Sequence, residues 1–201
     1  MPISYPISEF VVADTGVFWD IAYCPIPSGL DPETIYQNMK QSLKNMGYYG
    51  KLSIFAYGDE NQNPKDIETG GIKCVFAGDE QTRVNKILHD LTFWGIRRKN
   101  EERRANVMVI SGSKFEDELY VKFLGYLRSL NTNILLAQPE DLPNPGDEAS
   151  GTLLRNVSEV WLWKSLATGE KPIYRSGSLQ DVDDASACSK KSQGVGDDVS
   201  G

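Results

Sequence analysis

Short apolar runs that predict buried strands alternate along this 201-residue chain with longer amphipathic segments that predict helices. The predicted strands cover 17–21, 52–57, 72–76, 107–110, 134–137 and 160–163, and the predicted helices cover 32–46, 80–98 and 115–130. Alternation at this spacing is typical of parallel strands joined by right-handed crossovers. The pattern therefore predicts an α/β fold, a three-layer α/β/α sandwich with a mainly parallel sheet.

The acidic balance of the chain limits how it could bind nucleic acid. Twenty-eight Asp and Glu residues against 21 Lys and Arg residues give a net charge of -7, which argues against a basic coat that holds nucleic acid by charge alone. Residues 1–137 carry 17 acids and 15 bases, so most of the acidic excess lies later in the chain. Any nucleic-acid contact must be local, and nothing in the sequence indicates specificity for DNA.

Several classes of site are disfavoured by residues that the chain lacks. His89 is the single histidine, the three cysteines stand far apart, and neither glycine-rich phosphate-binding motif occurs. These features argue against hydrolase triads, disulfides, zinc knuckles and nucleotide-cofactor loops. No apolar run approaches the ~20 residues that cross a bilayer, and residues 1–16 lack the features of a signal peptide. We therefore expect no membrane partner and an intracellular protein, cytoplasmic or nuclear.

Composition divides the chain into three parts. From about residue 176 onward it consists of Ser, Gly, Asp and Lys with almost no large apolar side chain. Such a segment cannot bury enough surface to offset the entropy of ordering. We predict an N-terminal extension over 1–14, a folded domain over 15–175 and a disordered acidic tail over 176–201.

Acidic side chains follow the predicted strands at the sheet edge where ligands bind. Asp20 ends the first strand and Asp59 follows the second, and the carboxyl ends of parallel strands meet at one edge. Asp90 lies on the helix 80–98, beside its apolar stripe. That stripe consists of Val84, Ile87, Leu88, Leu91 and Trp94. Carboxylates from separate segments suit Mg²⁺ or Mn²⁺, which activates water against a phosphodiester. The pattern equally allows a structural Asp20, bonded to nearby backbone amides.

Four sequence blocks occur in a fixed order between about residues 15 and 167. They are 18–27 (FWDIAYCPIP), 53–59 (SIFAYGD), 133–139 (NILLAQP) and 160–166 (VWLWKSL). Together they resemble the limkain-type NYN domain proteins that are abundant in plants. The resemblance implies a PIN-like (Rossmann-like) fold related to metal-dependent ribonucleases, single-stranded RNA as a partner, and a role in the regulation of gene expression. Some relatives of this type are associated with peroxisomes, but the chain does not end in a Ser-Lys-Leu address.

Three acids stand at positions that the resemblance assigns to a catalytic site. Asp20 matches the first-strand aspartate, Asp59 matches a Gly-Asp after the second strand, and Asp90 matches the last residue of a helical Asp-Lys-Lys-Ile-x-x-Asp motif. The resemblance implies that all three are catalytic and that Asp20 and Asp90 bind the metal. Such a reduced set could hold one hydrated Mg²⁺ or Mn²⁺ ion weakly, since Mg²⁺ accepts one or two carboxylates and keeps its waters.

Five positions depart from the family pattern. They are Ala22, Tyr23, Asn85, Ser113 and Phe115. The family continues its first motif as Asp-Ile-Glu-Asn-Cys-Pro, where this chain has Ala22 and Tyr23, and it has an aspartate in place of Asn85. After the fourth strand the family reads Ser-Gly-Asp-x-Asp-Phe, so Ser113 and Phe115 replace two aspartates. A loop shift could bring Glu116 or Asp117 to the site, but Ser113 and Glu116 also fit a capping box, which we favour.

A dense group of basic residues lies at the end of the long helix and just beyond it. The basic cluster consists of Arg97, Arg98, Lys99, Arg103 and Arg104. It is predicted either to bind RNA or to form a solvated linker. Trp94, Trp161 and Trp163 could stack on bases, but each lies in an apolar pattern, which favours core packing. His89 is similarly predicted to be a helix-surface residue and not a catalytic acid or base.

Two functions stay open at this point. The first is a Mg²⁺-dependent endoribonuclease that acts on single-stranded RNA with Asp20, Asp59 and Asp90. The second is a catalytically degenerate NYN module that binds RNA or a protein partner without cleavage, and the five departures motivate it.

Overall fold

A seven-stranded sheet forms the middle layer of the computed structural model, which describes residues 10–59, 66–101, 103–112, 118–142 and 154–176. The elements are β1 (Asp14–Asp20), α1 (Pro32–Asn45), β2 (Leu52–Gly58), β3 (Ile72–Phe76), α2 (Glu80–Asn100), β4 (Ala105–Ile110), α3 (Glu118–Ser129), β5 (Thr132–Gln138), β6 (Glu159–Leu162), α4 (Trp163–Ala167) and β7 (Tyr174–Arg175). The strand order is β3-β2-β1-β4-β5-β6-β7, parallel from β3 to β6, with β7 antiparallel to β6. The predicted α/β sandwich with a mainly parallel sheet is confirmed.

Helices cover both faces of the sheet, so the central strands are buried on both sides. On one face, Ile35 and Met39 of α1 pack with Trp161 in a buried cluster. On the other face, Leu91 of α2 and Leu124 of α3 lie in a second cluster. Every residue of β4 and β5 is buried, as expected for parallel strands between two helical layers. None of the helices among the described residues is long and apolar enough to span a membrane.

The two long helices begin where the side chains can cap them. The Asp31 carboxylate accepts a hydrogen bond from the Thr34 amide at 2.8 Å, and Pro32 occupies the first turn of α1. Asp79 caps α2 in the same way through the Thr82 amide at 2.9 Å. These local contacts fix the point at which each helix leaves the preceding loop.

The structure differs from the sequence prediction at several element ends. The predicted strand 160–163 stops at Leu162, because Trp163 already belongs to α4. The helix α2 continues to Asn100, beyond the predicted end, and the short strand β7 was not predicted. The predicted start of the third helix at 115 lies outside the described residues, as do 1–9 of the predicted extension and 177–201 of the predicted tail.

Residues 10–13 of the predicted extension pack against the domain. Phe10 is buried in the core cluster beneath α1. The buried Asn106 side chain of β4 donates hydrogen bonds to the carbonyl oxygens of Phe10, at 3.0 Å, and Ala13, at 3.1 Å. This stretch is therefore held to the amino end of the sheet.

Candidate functional site

The winding of the sheet reverses at β1. The chain runs outward from β1 to β2 and β3, and then returns to place β4 on the other side of β1. Ligands of open α/β sheets bind at the carboxyl ends of the strands at such a reversal. Asp20 is the last residue of β1 and lies in register with Tyr57 of β2. The predicted position of Asp20 at the carboxyl ends of the strands is confirmed.

A buried arginine occupies the side of Asp20 that faces α2. The Arg83 Nε donates to Asp20 Oδ1 at 2.8 Å. Asp20 is fully buried and Arg83 is 5% exposed. The same oxygen accepts bonds from the amides of Ala22, at 3.2 Å, and Tyr23, at 3.3 Å. Within the described part of the chain, Asp20 Oδ2 has no hydrogen-bond partner. One interpretation of Asp20 predicts a metal ion as its partner, and the other predicts a structural role with bonds to nearby backbone amides. The bonds from the Ala22 and Tyr23 amides match the structural role.

Burial and charge act in opposite directions on the Asp20 carboxyl. Burial raises its pKa, and the Arg83 guanidinium and the two amide donors oppose that rise without cancelling it. An arginine side chain keeps its proton in proteins. Arg83 therefore provides a permanent positive charge against Asp20, one of the two carboxylates that the family resemblance assigns to the metal.

Arg83 was not among the predicted site residues, because the predicted apolar stripe of α2 contained the buried Ile87 and Leu91 but began at Val84. The buried residues of α2 are Arg83, Ile87, Leu91 and Gly95, and the predicted Val84 and Leu88 are only half-buried. The spacing of Arg83, Ile87 and Leu91 is i, i+4, i+8, which is one face of a helix. The signal available in the sequence was the position of a charged residue, Arg83, at helical spacing from the apolar Ile87 and Leu91.

Asp90 has a separate set of partners. The Tyr57 hydroxyl donates to Asp90 Oδ2 at 2.9 Å, and Oδ1 contacts Lys86 Nζ at 2.7 Å and His89 Nδ1 at 3.0 Å. Burial raises the pKa of Asp90, but the hydrogen bonds from Lys86, His89 and Tyr57 together outweigh burial and hold that pKa below its ordinary value. Asp90 is therefore a stable anion of the α2 surface.

The described residues do not fit a metal ion bound by Asp20 and Asp90. The two carboxylates share no hydrogen-bond partner. Asp90 lies seven residues beyond the Arg83 contact, about 10 Å along the axis of α2. The described ranges contain no group of three or more His, Cys, Asp or Glu residues placed to hold a metal. Instead, the Arg83 guanidinium lies against Asp20 Oδ1 and supplies a positive charge there.

Four other predicted site positions, Asp59, Asn85, Ala22 and Tyr23, lie among the described residues. Asp59 directly follows β2 and is half-buried, and Asn85 lies on the exposed face of α2, bonded to Gln81 at 3.2 Å. Ala22 is exposed, whereas the Tyr23 ring covers Gly112 just after β4: a Cβ at Gly112 would lie 2.3 Å from Tyr23 Cδ1. Tyr23 thus occupies space between the ends of β1 and β4. Ser113 and Phe115, with the proposed capping box, lie outside the described residues.

The basic cluster lies at the opposite end of the sheet from Asp20. Arg98 and Arg103 contact the Asp14 carboxylate at 3.0 Å and 3.7 Å. Asp14 begins β1 and Asp20 ends it, which separates the two ends by about 20 Å. The linker interpretation is wrong for 97–99, which form the last turn of α2. Arg97 and Lys99 are exposed, whereas Arg98 and Arg104 are partly buried.

The prediction of core packing is confirmed for Trp161 and Trp163, and the prediction of a surface position is confirmed for His89. Trp161 and Trp163 are buried in the core. Trp94 is half-buried against the second core cluster, with the Arg98 guanidinium 4.7 Å from its ring centre. His89 lies on the helix surface with 59% of its side chain exposed.

The bond between Tyr57 and Asp90 gives a direct test of this site. We expect Tyr57→Phe to lower the free energy of unfolding by about 1 kcal/mol, since a hydrogen bond to a partly exposed charged group is lost. The pKa of Asp90 should rise in this variant, as followed by NMR titration. A double-mutant cycle with Asp90→Asn measures the coupling, and strictly additive losses would contradict the contact.

The comparison with known proteins identifies the family of the chain. No curated protein matches the chain. The sequence profile of the NYN domain matches residues 14–151, which begin at the first residue of β1 and make up more than half of the chain. The chain therefore belongs to the NYN domain family, a member of the PIN-like superfamily of nuclease-type domains.

Proposed function

We propose that this protein is a non-cleaving NYN module that binds single-stranded RNA. The observation that carries the proposal is the buried pair of Asp20 and Arg83, with 2.8 Å between Oδ1 and Nε. In a metal-dependent nuclease, this carboxylate would face a divalent ion and its waters. Here it faces a cation that belongs to the protein.

The chemistry of Arg83 makes this pair hard to replace by a metal ion. The guanidinium cannot become neutral at physiological pH, so a divalent ion beside Asp20 would meet a like charge in a medium of low dielectric constant. Tyr23 adds a bulky ring beside the end of β4. Both features favour a domain that has kept its fold and lost metal-dependent cleavage.

Binding of RNA is supported by the family and by the charges at the amino end of the sheet. The NYN domain is of the nuclease type, which favours a nucleic-acid ligand. Arg97 has 81% of its side chain exposed, and Lys99 is also exposed. Exposed cations near each other attract phosphate groups and give salt-dependent affinity. We place this binding in the regulation of gene expression, as the family resemblance implies.

The competing candidate is a Mg²⁺- or Mn²⁺-dependent endoribonuclease. Its support is that Asp20, Asp59 and Asp90 stand at the family positions and that Asp20 Oδ2 has no partner within the described ranges. It requires Arg83 to leave Asp20 before metal binds. The competing candidate and the proposal differ in whether RNA is cut.

A binding assay with a cleavage readout separates these functions. We expect labelled single-stranded RNA to bind the full chain, to stay intact with Mn²⁺, and to bind equally well with a chelator. Arg97→Ala with Lys99→Ala should weaken binding and reduce the slope of log affinity against log salt by about 1.4, since each phosphate contact contributes about 0.7. The matched control is Lys44→Ala with Lys171→Ala, two exposed cations away from α2.

Two results would overturn the proposal. One is Mn²⁺-dependent cleavage that Asp59→Asn or Asp90→Asn abolishes in a folded variant, which would establish the endoribonuclease. The other is the absence of RNA binding at low salt, which would favour a protein partner.

A further inference from the structure

An open groove runs along α2, away from the Asp20 and Arg83 pair. Its volume is about 650 Å³. Its walls come from β1, β2, α2 and the residue after α2, and we call it the aromatic groove. It is lined by five aromatic residues, Phe18, Phe55, Tyr57, Phe93 and Trp94, and by one aliphatic and four polar or charged residues. Neither Asp20 nor Arg83 contributes to it.

The floor of the groove is a preformed set of aromatic rings. Phe18 is buried and stacks on Phe55 at 5.5 Å between ring centres, at an angle of 26°. Trp94 meets Phe55 edge to face at 6.1 Å and an angle of 71°. Because these rings hold one another, they would lose little freedom when a further ring stacked on them.

One aromatic side chain of the groove faces solvent. Phe93 is 59% exposed although it lines the groove, and its ring contacts the His89 ring at 4.6 Å. Phe55 on β2 is half-buried. A flat aromatic molecule would cover apolar surface on both residues, which is favourable at about 25 cal/mol per Å².

Charged and amide groups complete the groove. Arg97 is exposed and has only a 3.5 Å contact with the exposed Glu101 among the ion pairs of the described residues. Asn100 is exposed and can donate and accept hydrogen bonds. Asp90 stays anionic through its bonds to Tyr57 and Lys86. The groove thus combines aromatic faces with one cation, two carboxylates and one amide.

We propose that the aromatic groove binds a base of single-stranded RNA, stacked on Phe93 and Phe55, with Arg97 directed to the adjoining phosphate. This inference rests on the proposed function and gives it a location. Five of the ten lining residues are aromatic and only Ile96 is aliphatic, which suits a planar ring with polar edges better than the aliphatic side chains of a peptide. Stacking accepts every base, so we expect weak sequence preference.

An abasic ligand tests the groove directly. We measure the affinity of the full chain for a fluorescent decamer of uridine and for an abasic decamer with the same number of phosphates. The abasic decamer should bind about tenfold more weakly, because stacking is lost while the phosphate charge is kept. Phe93→Ala should weaken binding of the uridine decamer by about the same factor, and Phe93→Trp should bind this decamer as tightly as wild type. The control is Tyr49→Ala, which removes an equally exposed ring elsewhere.

The outcomes distinguish the groove from the proposed function as a whole. Equal affinity for the two decamers would overturn base binding in the groove and leave RNA binding by phosphate contacts intact. Loss of affinity in Tyr49→Ala to the same extent as in Phe93→Ala would also overturn it. Failure of both decamers to bind would overturn the proposed function. Self-association that Phe93→Ala abolishes, without dependence on bases, would assign the groove to a second copy of the chain.

Discussion

Replacing Asp20 with asparagine should lower the free energy of unfolding by about 3–5 kcal/mol, the usual cost of removing one partner of a buried ion pair. Asparagine keeps an acceptor for the amides of Ala22 and Tyr23, so the loss reports mainly on Arg83. The arginine would be left with a buried charge and no neutralising group. Urea denaturation followed by tryptophan fluorescence measures the effect.

Replacing Arg83 should lower the free energy of unfolding by an amount that depends on pH. In Arg83→Met the Asp20 carboxyl can take up a proton, because burial already raises its pKa. The folded protein then holds more protons than the unfolded chain, whose aspartate has a pKa of about 3.9. The stability of this variant relative to wild type is therefore greatest below about pH 4 and falls as pH rises, by up to about 1.4 kcal/mol per pH unit.

The double variant Asp20→Asn with Arg83→Met is the control. Both charges are absent, so it should recover most of the stability lost in Asp20→Asn. Losses below about 1 kcal/mol in both single variants would mean that the pair is not buried in solution, since pairs exposed to solvent contribute that little. The support for a non-cleaving domain would then disappear.

Truncation of Trp161 should have an effect of similar size for a different reason. Trp161 is fully buried between the sheet and α1, and its Nε1 donates to Ser42 Oγ at 3.1 Å and the Glu170 carbonyl at 3.3 Å. We expect Trp161→Ala to lower the free energy of unfolding by about 3–5 kcal/mol through lost apolar contacts and the resulting cavity. Trp161→Phe should cost less, because it keeps most of the ring and loses only the N–H donor.

The same variants test whether Trp161 has a role in RNA binding. Measured where each variant is folded, RNA affinity should match wild type. A loss of affinity without a loss of stability would contradict core packing and support stacking on a base. Trp161 belongs to the block 160–166, which carried part of the family resemblance although it lies beyond the matched residues 14–151.

Much of the fold could be predicted because its signals are local. The Asp31 and Asp79 caps contact amides three residues away. The repeat of apolar residues that predicts β1 or α2 can likewise be recognised within a single strand or a few helical turns. Element ends were less accurate. The residues at the boundary between β6 and α4 are apolar on both sides, so Trp163 fits the strand pattern and the helix equally well. The strand β7 pairs only two residues, too few for a periodic signal.

The candidate site was only half predictable. The sequence alone determined the α/β class, the order of its elements, and the position of Asp20 at the end of β1. The tertiary structure decided that Arg83, 63 positions further along the chain, neutralises Asp20, and that Asp90 bonds to Tyr57. It also decided that the basic cluster lies about 20 Å from Asp20, at the far end of β1. These outcomes depend on how α2 crosses the sheet and on its rotation about its own axis. A rotation of one residue would exchange Arg83 for Val84 on the buried face, and local periodicity fixes that angle too loosely to distinguish them.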